Sequence, residues 1–219
     1  MSFMKPEKLI GLVAILFFCS IGRTASAQTL KDVFTNKETP LTWLGIDFYQ
    51  ARLLDQGNSE DIRNRLYGSI NQLVIDEYKK YNIASAFRRD AMDNSIKAVN
   101  DRNLKAKQDA IISTNPSDFN RLKEAEVVAE AQELDLGNKT GIGVVFVMEA
   151  MRKIEKKGDA SIWVVLLDMK TKKALLAQRL EVKTGGGFGF RNFWASSIKD
   201  AIDEIDNSKY KEWKKQYGN

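Results

Sequence analysis

The 219-residue chain contains no histidine and a single cysteine, Cys19. Each absence excludes chemistry. Without imidazole, and with no thiol after residue 19, neither a Ser-His-Asp nor a Cys-His nucleophile can be assembled. Zinc sites built on thiolate or imidazole fall away too, leaving metals that take oxygen ligands. The stretch "DNSIKAVNDRN" (Asp93 to Asn103) scatters Asp and Asn, but it lacks the spacing and closing glutamate of a calcium loop. No Gly-Lys-Ser/Thr follows the glycines of "GGGFGFRN" (Gly185 to Asn192), so they do not form a Walker loop. They are not a Rossmann fingerprint either, because the preceding strand comes late and no strand follows the helix. No cofactor and no metal are expected.

What is present begins with a leader. Lys5 and Lys8 precede an apolar run from Leu9 to Ile21, and Ala25-Ser26-Ala27 follows as a small-x-small site. The run is shorter than the ~20 residues a membrane span needs, so residues 1–27 read as a signal peptide cleaved after Ala27. Acylation at Cys19 is the alternative, disfavoured by Phe17 and Phe18 where a small residue is required. Either route places the protein in the periplasm or at the outer envelope. The remaining 192 residues carry no cysteine and so rely on a hydrophobic core, which a chain of this size can supply by burying roughly 70% of its unfolded surface. Removing the leader lowers the net charge from +5 to +3, too little to indicate a nucleic-acid partner.

The pattern predicts an α/β (α+β) fold with a mixed sheet of about five strands. "LTWLGIDFYQARLL" (Leu41 to Leu54) is apolar on both faces and reads as a central strand. Strict alternation would put Leu41, Trp43, Asp47 and Tyr49 on one face, and Leu44, Ile46 and Phe48 on the other. Three further runs, Gly141 to Met151, Ala160 to Met169 and Ala174 to Thr184, are joined by short polar segments and predict an antiparallel meander. The last alternates, with Leu176, Leu180 and Val182 against Arg179, Glu181 and Lys183, as a half-exposed edge does. Three amphipathic helices are expected, at 59–81, 118–133 and 191–205, with a weaker strand at 95–100. Residues 28–40 read as a flexible lead-in, 41–206 as one domain and 207–219 as a basic aromatic tail.

Two groups of residues bear on function. Asp47, Glu149 and Asp168 lie in or at the ends of apolar strands and are the candidates for a paired-carboxylate hydrolase acting on envelope glycans. A carboxylate at Asp47 would be buried and would need a cation or backbone partner, which favours a structural ion pair. Asp168 suits a turn acceptor ahead of Lys170 and Thr171. The second group follows from meander geometry. It brings Arg152, Lys153, Lys156 and Lys157 to the same end as Gly185, Gly186, Gly187, Phe188, Phe190 and Arg191. The glycines allow a strand-to-helix corner that Phe188, Phe190, Phe193 and Trp194 plug, and the basic rim suits an anionic polymer or an envelope protein. The same rim, with its aromatics, also suits peripheral attachment to a membrane.

Together "PLTWLGIDF", "GIGVVFVMEAM" and "GGGFGFRNFW" resemble a family of secreted Gram-negative bacterial proteins without assigned activity, over most of the exported chain. The element order is similar to periplasmic α/β modules such as the penicillin-binding-protein activators and the N-terminal domain of the Tol propeller protein. That resemblance implies a non-enzymatic module that contacts envelope proteins, with no catalytic residues to carry over.

Overall fold

A computed structural model describes residues 29–155 and 157–218. The expected leader with Cys19, and the binding candidate Lys156, lie outside the described residues. One mixed sheet of six strands forms the centre: β1 (Leu41–Asp47), β2 (Arg52–Leu54), β3 (Asp93–Asn94), β4 (Ile142–Ile154), β5 (Lys157–Asp168) and β6 (Ala174–Thr184). The order is β3-β1-β4-β5-β6, and β2 pairs with β4 further along the edge that β1 occupies. The first three strands run parallel to their neighbours, while β4, β5 and β6 form the expected antiparallel meander.

Helices cover both faces, which is why β4 and β5 are apolar through most of their length, with Glu149 and Ser161 as the buried polar exceptions. A helix over 59–76 (α2, π-helical at Ile62–Leu66) and one at Gly189–Glu204 (α6) pack on one face against Trp43, Ile46, Phe146, Val164 and Leu180. Helices at Lys97–Asn103 (α4) and Glu124–Gln132 (α5) cover the other, against Leu44, Val145, Val147 and Val165. Each fully buried Leu, Val or Phe contributes roughly 1.5–3 kcal/mol by leaving water. A short helix at Ile83–Ala86 (α3) completes the connection into β3. Among the described residues, no helix is long and apolar enough to cross a membrane.

Several boundaries differ from the sequence reading for identifiable reasons. The run from Leu41 to Leu54 is two strands, interrupted over 48–51. The register also slips between Trp43 and Gly45, where Gly45 takes φ +107°. This bulge breaks the alternation. Trp43 and Ile46 therefore share a face, and Asp47 moves to the face opposite Trp43. Residues 97–103 are helical rather than extended, and their inward positions, Val99 and Asn103, include a buried amide that hides the helical period. The helix expected at 59–81 ends at Asp76, and that expected at 118–133 starts at Glu124 after a 3-10 turn at Pro116–Asn120.

Beyond β3, two buried asparagines take over as neighbours of β1. Asn71 accepts from Ile46 N at 2.6 Å and donates to Ile46 O at 3.0 Å. Asn103 accepts from Phe48 N at 2.7 Å and donates to the same carbonyl at 3.0 Å.

The described parts of the lead-in and of the tail both pack on the domain. The lead-in forms a capped helix, Leu30–Thr35 (α1), and buries Phe34 5.4 Å from the Tyr210 ring and 6.3 Å from the Trp213 ring. The tail continues α6 through a π-helical turn at Ile205–Lys209 into a helix at Tyr210–Tyr217 (α7). There the Trp213 indole donates to Gln178 on β6. Arg89 secures the lead-in by donating to Thr39 O at 2.8 Å and Val33 O at 2.7 Å.

Candidate functional site

At the end of β1, Asp47 is fully buried. One carboxylate oxygen accepts from Tyr49 N at 2.8 Å, and the other lies 3.4 Å from Nε of Arg102 on α4. The same guanidinium sits 3.8 Å from Glu130 and 3.4 Å from Glu133, and 4.6 Å from the Tyr49 ring centroid. Glu130, on α5, also accepts from Gln50 Nε2 at 2.8 Å. One cation thus faces three carboxylates, two of them buried. Burial pushes the Asp47 carboxyl up to about 6, against the pull of Arg102 and the Tyr49 amide. Glu130 rises to about 8, first through burial and then through Asp47, with Arg102, Gln50 and Arg121 opposing. A proton retained by this pair relieves the excess negative charge. Beside it opens a cavity of about 840 Å³ lined by residues that include Tyr49, Lys97, Arg102, Lys105, Glu133 and Lys139.

Asp47 presents no oxygen to a substrate, and a buried arginine answers its charge, the arrangement of a structural ion pair. Glu149 is still more fully committed. It sits where β4 slips register against β5 and accepts from Leu122 N, Ser161 Oγ, Trp163 Nε1 and Arg179. That set ties the Leu122 loop to three strands and leaves the carboxylate without free capacity. Asp168 is the expected turn acceptor, bonded at 2.9 Å to both Lys170 N and Thr171 N. The three candidate carboxylates are therefore dispersed into separate structural roles. Among the described residues, no three acidic groups are placed to hold a metal.

The sequence does not mark the partners of Asp47 equally. Arg102 lies in "NDRN", where no period marks it. Glu130 carried a readable sign, because it stands three residues after Val127 on the buried face of α5.

The glycine-rich end is assembled as the meander requires. Gly158 pairs with Thr184, so the β4–β5 tip and the segment leaving β6 are adjacent. Gly187 has φ +109°, and a Cβ there would lie 2.7 Å from the backbone of Asn192, so the corner is compatible only with glycine. The plug is smaller than expected. Trp194 is buried and Phe190 and Phe193 pack on it, but Phe188 is 98% exposed. Ile154 at the neighbouring tip is 60% exposed. Arg152 is spent internally, on Asp159 at 2.9 Å and over the Phe119 ring at 4.1 Å. Lys153, Lys157 and Arg191 are exposed and enter no ion pair among the described residues, the Lys153 ammonium lying 5.3 Å from the Phe193 ring centroid; Glu155 on the same tip is exposed too. Gly185 and Gly186 have open space around them.

Fold and site together define a mixed α/β domain with a cationic, partly apolar tip and a buried acid–arginine cluster. No family model matches the chain, and no curated protein matches it. Among solved structures it is similar to the hypothetical protein CT253 from Chlamydia trachomatis, at 7% identity and a TM-score of 0.35, over 80% of this chain and 98% of that one. A likeness of that size assigns no activity.

Proposed function

We propose that the protein is an exported, non-catalytic binding module of the bacterial envelope, and that it engages an acidic partner protein through its glycine-rich end. The observation that carries this reading is Phe188. A phenylalanine 98% exposed at a corner held by Gly187, at the same end of the sheet as an exposed Ile154 and the cations Lys153, Lys157 and Arg191, is poorly explained by folding. An apolar anchor inside a charged rim is the composition of a protein-binding patch. Asp47 and Glu149 expose no oxygen, which disfavours a paired-carboxylate hydrolase.

The test places a photo-crosslinking phenylalanine analogue at position 188, and at exposed Leu104 as control. A discrete protein adduct from position 188 alone, lost on reversing Lys153, Lys157 and Arg191 to glutamate, is expected. Equal adducts from both positions, or sedimentation of the protein with anionic vesicles in place of an adduct, would overturn the reading. Phe188 is a better probe than Gly187, whose replacement would disrupt the corner itself.

A further inference from the structure

We propose that the cavity at the start of β2 binds a small phosphate monoester. The cavity measures about 270 Å³ and is lined by Tyr49, Gln50, Arg52, Lys107 and Ala110. Arg52 is half-buried, and its Nη1 is fixed in place by donating to Gln50 O at 3.0 Å and Ala51 O at 3.3 Å. The other edge of the guanidinium, Nε and Nη2, makes no hydrogen bond among the described residues, yet neither atom is sealed from solvent. That edge is the one with which arginine grips two oxygens of a phosphate or carboxylate at once. Arg65 shows it in use, donating from Nε and Nη2 to the two oxygens of Asp61 at 2.7 Å each. Lys107 is exposed, and its ammonium has no partner among the described residues. Backbone bonds hold its segment against β2, with Leu53 N donating to Ile111 O at 2.7 Å and Ser113 N to Leu53 O at 3.0 Å.

Charge and size narrow the class. Two cations and no acid line the cavity. A phosphate monoester carries about 1.5–2 negative charges at neutral pH and three acceptor oxygens, a closer match than the single charge of a carboxylate. Arg121 donates to the same Gln50 carbonyl as Arg52 and adds a further positive charge. Burial, and after it Arg121, hold Arg52 below its usual range; Asp118 and Asp109 pull the other way, but neither forms an ion pair with it. A bound anion would relieve that repulsion. The volume lies below the roughly 300–1,000 Å³ of sites for drug-sized ligands, so it suits a phosphate bearing a few carbons. None of these residues belongs to the glycine-rich patch, so the two proposals stand or fall separately.

Glycerol 3-phosphate, inorganic phosphate and acetate are titrated calorimetrically into the full-length protein at matched ionic strength. Glycerol 3-phosphate is expected to bind most tightly, inorganic phosphate less so, and acetate at least about 10-fold more weakly than the first. Arg52→Lys keeps the charge but loses the two-pronged edge, and is expected to weaken glycerol 3-phosphate binding about 10-fold, the range of one charge-assisted hydrogen bond. Lys107→Gln changes an exposed side chain that makes no contact needed for folding, and is expected to weaken it about 3–10-fold. Thermal transitions check that both variants are folded. No binding of glycerol 3-phosphate, equal or tighter binding of acetate or inorganic phosphate, or an affinity that neither substitution lowers would overturn the proposal.

Discussion

Ile46 lies one step beyond the reach of β3, and its backbone is completed by side chains. Asn71 binds both its N–H and its C=O, and also donates to Asn100 at 2.8 Å. Asn71→Ala leaves the buried Ile46 amide hydrogen unanswered, at about 1–3 kcal/mol, and removes the part-buried bond to Asn100, at about 0.5–1.5 kcal/mol. Urea unfolding is expected to show a loss of roughly 2–4 kcal/mol. Gly45 is coupled to the same contact, because a Cβ there would lie 3.0 Å from Asn71 Oδ1 on a backbone with φ +107°. Glu149 carries more at one position. Replacing it with alanine strands the Arg179 guanidinium, a hydroxyl, an indole and a backbone amide. Glu149→Ala is expected to cost roughly 3–5 kcal/mol, the range for breaking a buried ion pair, again by urea midpoint.

Among the elements, α1 and α7 are held to one another by aromatic side chains. Phe34 is buried between Tyr210 and Trp213, and Phe34→Ala is expected to lower stability by about 3–5 kcal/mol, measured by denaturant unfolding. From sequence the lead-in read as mobile, because six helical residues with two apolar positions are too few to announce a face. The meander and α6 were readable, since Trp194, Ile198, Ala201 and Ile202 repeat at helical spacing and all are buried. The interruption after Asp47 was not, because Gly45 shifts the alternation by one residue and no local signal separates a bulge glycine from a packing glycine. The site was half legible for a related reason. Burial of Asp47 and its need for a cation followed from its apolar neighbours. Its partner, Arg102, comes from a segment whose helical face is partly built of asparagine.

For the molecule as a whole, the acid–arginine cluster links stability to pH. Asp47 and Glu130 have folded-state pKa values of about 6 and about 8, above those of carboxyls in an unfolded chain. The folded state therefore holds the proton more tightly. The resulting stabilisation is present in full below about pH 4 and is lost as pH rises through about 6 to about 8. Urea midpoints are expected to fall between pH 5 and pH 9, by on the order of 1–3 kcal/mol in stability. Glu130→Gln is expected to flatten that decline, because a neutral amide keeps the Gln50 contact and leaves Arg102 to Asp47.

The asparagine edge of β1 also gives a dynamic readout. In most of the sheet, backbone amides are protected by another strand and exchange with solvent only when strands part. The amides of Ile46 and Phe48 are held by side chains on α2 and α4. Lifting either helix from an intact sheet would release its own amide first. Deuterium uptake at these two positions, compared with Phe146 in β4, would thus time the undocking of each helix separately from the opening of the sheet.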